Sequence, residues 1–136
     1  MTPTQPNPCD EPLPDLAEEA IRLFNAGEYH AQHDLFEEVW REEPRQIRDL
    51  YQGVLQVGLA YYHIVEGNRR GALKMFKRSE RWLKELPDAC QTIDVAALKA
   101  DAAHAKAAVL ALTDKTMGEF DKSLLQPVKR TELGTI

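Results

Sequence analysis

The residues best suited to chemistry lie in one short segment, which reads GEYHAQHDLFEEVW. If this segment is a helix, His33 and Glu37 stand one turn apart on the same side, and Trp40 follows three residues later. A histidine and a carboxylate at this spacing can share a proton or a metal ion. His30 and Asp34 are close enough to add further ligand atoms. The segment therefore predicts a polar site with four candidate metal ligands, but it does not specify a reaction.

A second set of polar residues lies on the helix predicted over residues 45–66. The rest of this helix is apolar nearly all round, which is typical of a central, buried helix. Apart from the tyrosines and the helix ends, its polar residues are Gln52, Gln56 and His63, which fall within about 40° of one another at about 100° per residue. If this stripe is internal, the helix that carries Trp40 is the nearest one to face it. We therefore expect these three residues and Trp40 to contact a bound ligand.

The candidate ligands favour a weak, open metal site. A zinc site needs three or four nitrogen, oxygen or sulfur ligands, and one helix offers His33 and Glu37 with at best His30 or Asp34. Open positions on such a metal could activate water for hydrolysis, while a glutamine amide would orient a carboxylate or a bound water. The sequence has no HExxH motif, no paired Glu-x-x-His motifs, no phosphate-binding loop and no evident nucleophile set. It leaves open whether the protein is an enzyme.

Each candidate residue also has a structural explanation. His30 and Asp34 lie toward the polar side of their helix and could simply be solvated. His33 and Glu37 lie at the boundary of the apolar face, where a hydrogen-bonded structural pair is an alternative to a ligand pair. The glutamine stripe could be a thin solvent-facing strip.

Length and charge limit the classes of protein. At 136 residues and 15.4 kDa the chain has room for one domain. Residues 1–66 hold 13 acidic and 4 basic residues, whereas residues 67–136 hold 9 acidic and 13 basic. We expect the two halves to pack on each other or on a second copy of the chain, which would make a homo-oligomer. The balance does not indicate nucleic-acid binding.

The cysteine residues and the hydropathy of the sequence predict where in the cell the protein is located. Cys9 and Cys90 show no ligand spacing, and we interpret them as ordinary thiols of a reducing compartment. No stretch approaches the roughly 18 apolar residues of a membrane span, and no basic start precedes an apolar run. We therefore predict a cytoplasmic protein with no membrane partner.

The predicted fold is all-α, a compact antiparallel bundle of about five helices. A Pro-rich arm over residues 1–14, disordered or draped, precedes a helical domain over residues 15–113, and a partly ordered tail follows over 114–136. No segment alternates with period two, so no sheet is expected. Two Gly turns open amphipathic helices in a way loosely similar to tetratricopeptide hairpins. The helices are predicted from residue 15 up to Gly27 and over residues 28–42, 45–66, 70–86 and 93–112.

The segment from residue 24 to residue 78 resembles a known family. It contains His33-xxx-Glu37-xx-Trp40, followed by a Gln-Gly pair, further Gln and His residues, and two turns with glycine. This pattern resembles the bacterial and archaeal family catalogued as domain of unknown function 309, whose hallmark is HxxxExxW. Members more often have Glu where this chain has Asp34. The resemblance implies an all-helical fold and a proposed metal-binding role for His33 and Glu37, and it implies no established activity.

Two functions follow as hypotheses. The leading one is a small helical protein whose His/Glu-centred site binds a divalent metal or a small polar ligand, with a metal-dependent hydrolase as one form. The alternative is a protein-interaction module built from tetratricopeptide-like hairpins, in which the HxxxExxW motif is structural.

Overall fold

The computed structural model describes residues 7–131, and every structural statement below refers to that part of the chain. The parts of the predicted arm and tail at residues 1–6 and 132–136 lie outside it. The described residues are mostly helical, which confirms the predicted all-α bundle. The α-helices are α1 (Asp15–Asn25), α2 (Tyr29–Glu42), α3 (Arg48–Val65), α4 (Arg69–Leu83) and α5 (Val95–Leu110); the strands are β1 (Ala89–Cys90) and β2 (Ile93–Asp94); short 3₁₀ turns occupy Pro8–Asp10, Met117–Glu119 and Lys122–Leu124.

Two glycine turns fold the first four helices into antiparallel hairpins. Gly27 joins α1 to α2 with φ of +84°, and Gly67 joins α3 to α4 with φ of +74°. L-residues with a side chain rarely adopt such angles. After the second turn, the Asn68 side chain accepts a hydrogen bond from the Gly71 amide and caps α4. The resemblance of these hairpins to tetratricopeptide units stays a prediction.

The central helix is α3, which packs between α2 and α4, while α1 packs on α2 and α5 packs on α4. Twelve of its 18 residues are buried, more than in any other described helix. This confirms the expectation drawn from its apolar circumference. Two glycines allow the close approach: a Cβ at Gly53 would lie 2.2 Å from Leu83 Cδ2, and one at Gly58 would lie 2.3 Å from Gln32 Nε2.

A small two-stranded antiparallel sheet corrects the prediction that there would be none. Cys90 pairs with Ile93, and the turn between them uses positive φ at Gln91 and Thr92. The predicted fifth helix therefore starts two residues late, because the Asp94 side chain accepts a hydrogen bond from the Ala97 amide and caps α5. The strands are only two residues long, which is too short for a period-two pattern to be visible in the sequence.

The prediction of free cysteine thiols was wrong, because Cys9 and Cys90 form a disulfide. The two residues are brought together by Gln91, whose amide N donates to the Cys9 carbonyl (2.7 Å) and whose side-chain Nε2 donates to the Pro8 carbonyl (3.1 Å). The Gln91 Oε1 in turn accepts from the Tyr51 hydroxyl at 2.7 Å. The pairing removes the argument for a reducing compartment. The cytoplasmic location stays a prediction.

The segment after α5 returns to α1. Asn25 accepts a hydrogen bond from the Val128 amide at 2.8 Å, and Arg130 forms an ion pair with Glu18 at 2.7 Å. The Arg130 guanidinium lowers the pKa of the Glu18 carboxyl through this hydrogen bond. This pair joins the acidic half of the chain to the basic half within one molecule. No helix in the described part of the chain is long and apolar enough to cross a bilayer.

The close contact at Gly58 yields a stability prediction. In the Gly58→Ala variant the new methyl group would displace the Gln32 amide, which donates to the Tyr29 carbonyl (2.9 Å) and the Leu55 carbonyl (3.2 Å). We expect the free energy of unfolding, measured by urea denaturation, to fall by about 1–3 kcal/mol. Gly118→Ala is the control, because nothing lies within 4 Å of its Cβ position. Equal stability of the two variants would contradict the tight packing of α2 on α3.

The disulfide yields a second prediction. It closes a loop with a sequence separation of 81 residues, so removing it increases the entropy of the unfolded chain. We expect the double variant Cys9→Ser, Cys90→Ser to lose about 2–4 kcal/mol of unfolding free energy. Denaturation of the wild type with and without a reducing agent is the matched measurement. If the reductant leaves the wild-type midpoint unchanged, the disulfide does not stabilise this fold.

Candidate functional site

His33 and Glu37 lie on one side of α2, between His30 and Trp40, and those two flanking residues contact α3. The His33 Nε2 atom lies 4.0 Å from Glu37 Oε2 and 3.4 Å from Asp34 Oδ1. Its other ring nitrogen, Nδ1, lies 2.6 Å from the His30 carbonyl oxygen. A carbonyl only accepts hydrogen bonds, so Nδ1 carries the proton and Nε2 has a free lone pair in the neutral ring. Glu37 itself accepts a hydrogen bond from Arg41 at 2.5 Å.

His30 and His63 lie near the start of α2 and the end of α3. The His30 ring is 4.9 Å from that of His33 and 5.0 Å from that of Tyr62, between ring centroids. Burial lowers the pKa of His63, and the neighbouring His30 lowers it further, while Glu66 opposes the shift. The Nδ1 of His63 lies 3.3 Å from the side-chain nitrogen of Asn68. His63 therefore joins the turn into α4 rather than the carboxylates around His33.

Gln52 and Gln56 are nearly buried, each with 9% of its surface exposed. The Gln56 Nε2 donates to Gln52 Oε1 at 3.0 Å. The Gln56 Oε1 atom is buried and has no hydrogen-bond partner in the described part of the chain. The alternative of a solvent-facing strip is therefore wrong for these two residues.

Trp40 contacts a residue that the sequence reasoning did not select. The guanidinium carbon of Arg48 lies 4.2 Å from the centroid of the Trp40 ring, a cation–π distance. Within the described residues, Trp40 Nε1 and Arg48 Nε are both buried donors without a hydrogen-bond partner. Arg48 stands one helical turn before Gln52 and two before Gln56, and this i, i+4, i+8 spacing is the signal that could have identified it.

We call Trp40, Arg48, Gln52 and Gln56 the polar strip. The α2–α3 hairpin is antiparallel, and its two helices touch through Trp40 and Arg48 at one end and through His30 and Tyr62 at the other. The glutamines therefore lie between these two contacts. Buried polar groups in proteins are normally hydrogen-bonded, so two unpaired donors and one unpaired acceptor along one strip are unusual. The other unpaired buried atoms of the described chain, Gln32 Oε1 and Tyr61 OH, belong to side chains that are fully enclosed in the core.

The predicted metal ligands do not assemble into a site held by the protein alone. In residues 7–131, no group of three or more His, Cys, Asp or Glu residues is arranged to hold a metal ion. Glu37 is engaged by Arg41, and His63 lies in the turn into α4. His33 keeps one free nitrogen beside two carboxylates. Metal binding thus stays a prediction that would need further ligands from solvent or from a bound molecule.

Comparison with known proteins finds one family model and one relative that match part of this chain. The family model described as "Domain of unknown function (DUF309)" matches residues 17–75, which contain most of α1, all of α2 and α3, and the first part of α4. An "Uncharacterized protein" of Aquifex aeolicus (strain VF5) is 25% identical over 87 residues, which is 63% of this chain. The alignment covers 26% of that relative, so the chain spans about a quarter of its length. The resemblance inferred from the sequence is confirmed over residues 17–75, where the chain is similar to the family described as a domain of unknown function.

Proposed function

We propose that this domain binds a small polar ligand with an anionic group along the polar strip. The observation that carries the proposal is the set of buried atoms without a partner in residues 7–131: Trp40 Nε1, Arg48 Nε and Gln56 Oε1. A buried polar atom that lacks its hydrogen bond costs about 1–3 kcal/mol. A ligand that supplies these bonds would recover that free energy on binding.

The chemistry of the strip indicates what the ligand carries. Trp40 and Arg48 are both donors. Among the described residues Arg48 forms no ion pair within 4 Å, and its charge acts at longer range on the carboxyls of Glu43 and Asp49. Charge-assisted bonds from arginine to a carboxylate or phosphate are stronger than neutral ones. Gln56 Oε1 instead needs a donor, such as a hydroxyl or an amine. The Cα atoms of Arg48 and Gln56 are about 12 Å apart along the helix axis, so a ligand with both groups on a short skeleton suits the strip.

Binding can be followed through Trp40 itself. The chain has two tryptophans, so a Trp82→Phe background leaves Trp40 as the fluorescent reporter. We expect at least one of L-malate, citrate and L-glutamate to change its emission saturably at millimolar concentration. In the same background, Arg48→Met should weaken the response at least tenfold, because it keeps the stem over the ring and removes the charge. Arg78→Met on α4, an exposed position, is the matched control. No saturable response to any of the three would contradict the proposal.

Stability separates a binding strip from a structural one. Replacing both members of a buried hydrogen-bonded pair by apolar groups of similar shape can be nearly neutral, and here it also removes an unpaired acceptor. We therefore expect the double variant Gln52→Leu, Gln56→Leu to unfold within about 1 kcal/mol of the wild type, or to be more stable, while it no longer binds the ligand. Urea denaturation measures the first effect and Trp40 fluorescence the second. A loss of unfolding free energy much larger than about 1 kcal/mol would show that the hydrogen-bonded glutamine pair supports the fold.

We also propose, as a second possibility for this domain, that His33 binds a divalent metal ion. It is supported by the free Nε2 atom beside the carboxylates of Asp34 and Glu37. The chemistry that a metal would supply there is activation of water, which is what a hydrolase would require.

Titration with metal ions alone tests whether His33 binds a metal. Calorimetric titration of the wild type with Zn²⁺, Mn²⁺ and Ni²⁺ should give binding that His33→Ala abolishes. His104→Ala, which changes an exposed histidine on α5, should leave it intact. If the wild type binds none of the three ions, or if both variants bind the ions equally well, the proposal of a metal at His33 is wrong.

The interaction module is the alternative function. It is supported by two exposed large apolar residues, Val65 (48% exposed) and Leu110 (54% exposed), at the ends of α3 and α5. Arg69, at the start of α4, donates to the Val109 and Leu112 carbonyls, so both residues lie at the same end of the bundle. Such a pair of apolar residues suits a small contact with a protein or with a second copy of the chain.

A further inference from the structure

A cavity of about 320 Å³ lies between α4 and α5, away from the polar strip. Its floor on α4 is formed by Phe76, Ser79 and Leu83, all of them buried. On the α5 side it is bounded by Ala102 and Ala103. This volume is at the lower end of the range for small-molecule pockets, roughly 300–1,000 Å³.

The cavity follows from the composition of α5. This helix has alanine at half of its 16 positions, and alanine side chains are too short to fill the space opposite Phe76 and Leu83. The one polar residue of the floor, Ser79, donates its hydroxyl to the Phe76 carbonyl at 2.7 Å. With this group satisfied, the interior offers a mainly apolar surface that favours hydrocarbon over water.

The rim is basic. Lys84 and Lys99 line the cavity, and neither has a carboxylate within 4 Å in residues 7–131. The acidic residue of the lining, Glu80, is paired with Lys106 at 2.7 Å. The Lys99 ammonium is held at the rim by the Leu86 carbonyl at 3.5 Å, which leaves its other donors free. The uncompensated charge at the opening is thus positive.

We propose that this cavity binds an unbranched aliphatic monocarboxylate. The chain would lie on Phe76, Leu83 and Ala103, and the carboxylate would remain at the rim within reach of Lys84 and Lys99. An apolar interior with a cationic opening is complementary to a molecule with one hydrocarbon end and one anionic end. This proposal is independent of the polar strip and survives if the strip binds nothing.

Calorimetric titration with hexanoate, octanoate and decanoate, below their micelle concentrations, tests the proposal. Each added CH₂ should tighten binding about fourfold until the chain fills the cavity. The Ala103→Leu variant places a side chain into the space and should weaken octanoate binding at least tenfold. Ala100→Leu, at an exposed α5 position outside the lining, is its matched control. Circular dichroism establishes that each variant is folded.

The charge at the rim is tested separately. The double variant Lys84→Gln, Lys99→Gln should weaken octanoate binding at least tenfold and leave 1-octanol binding unchanged. Lys77→Gln, also exposed on α4 but outside the lining, should match the wild type. Failure of the wild type to bind octanoate saturably, or unchanged binding in folded Ala103→Leu, would overturn the proposal. Equal binding of octanoate and 1-octanol to the wild type would overturn the carboxylate assignment.

Discussion

The structure depends on the burial of one helix, α3, between two others. Tyr51, Val54 and Tyr61 on this helix are at most 1% exposed, and α2 and α4 approach it closely at its two glycines. The hydrophobic effect is the dominant favourable term in folding, so the position of α3 fixes where its neighbours lie. The few polar side chains of α3 then need hydrogen-bond partners, either from within the bundle or from a bound molecule.

The extent to which polar side chains are hydrogen-bonded varies along the boundary between α2 and α3. Gln32, from α2, is fully buried and gives its amide hydrogens to two backbone carbonyls, so it helps to hold the two helices together, although its Oε1 atom has no partner among the described residues. The polar strip has three such atoms on three side chains. A fully bonded network rigidifies a core, whereas a partly bonded one is costly. Proteins break such rules mainly at functional sites, and this is why we propose that the strip binds a ligand.

Periodicity predicted most of the fold because it records which face of each helix is buried. The apolar circumference of α3 identified the central helix, and Gly27 and Gly67 marked the turns where positive φ is needed. The disulfide was not predictable in this way, since Cys9 and Cys90 are 81 residues apart and meet only in the folded chain, where the Gln91 amide donates to the Cys9 carbonyl. The two-residue strands were too short to leave a pattern.

Helical periodicity also predicted part of the candidate site, because it shows which residues share one side of a helix. Helical spacing correctly put His33 and Glu37 on one side of α2, and it identified Gln52 and Gln56 as a stripe. It could not show that Arg41 engages Glu37, nor that Arg48 lies over the Trp40 ring. These contacts depend on side-chain conformations and on the packing of α2 against α3, which one sequence does not specify.

We propose that a ligand supplies the missing hydrogen bonds of the polar strip. The most direct measurement is the ¹H–¹⁵N NMR signal of the Trp40 indole during titration with L-malate, citrate or L-glutamate, in a Trp82→Phe background. A new hydrogen bond donated by Nε1–H moves the indole proton downfield, and the Gln56 side-chain amide signals should shift with the same saturation curve. If both signals stay unchanged through all three titrations, the strip is not the binding site that we propose.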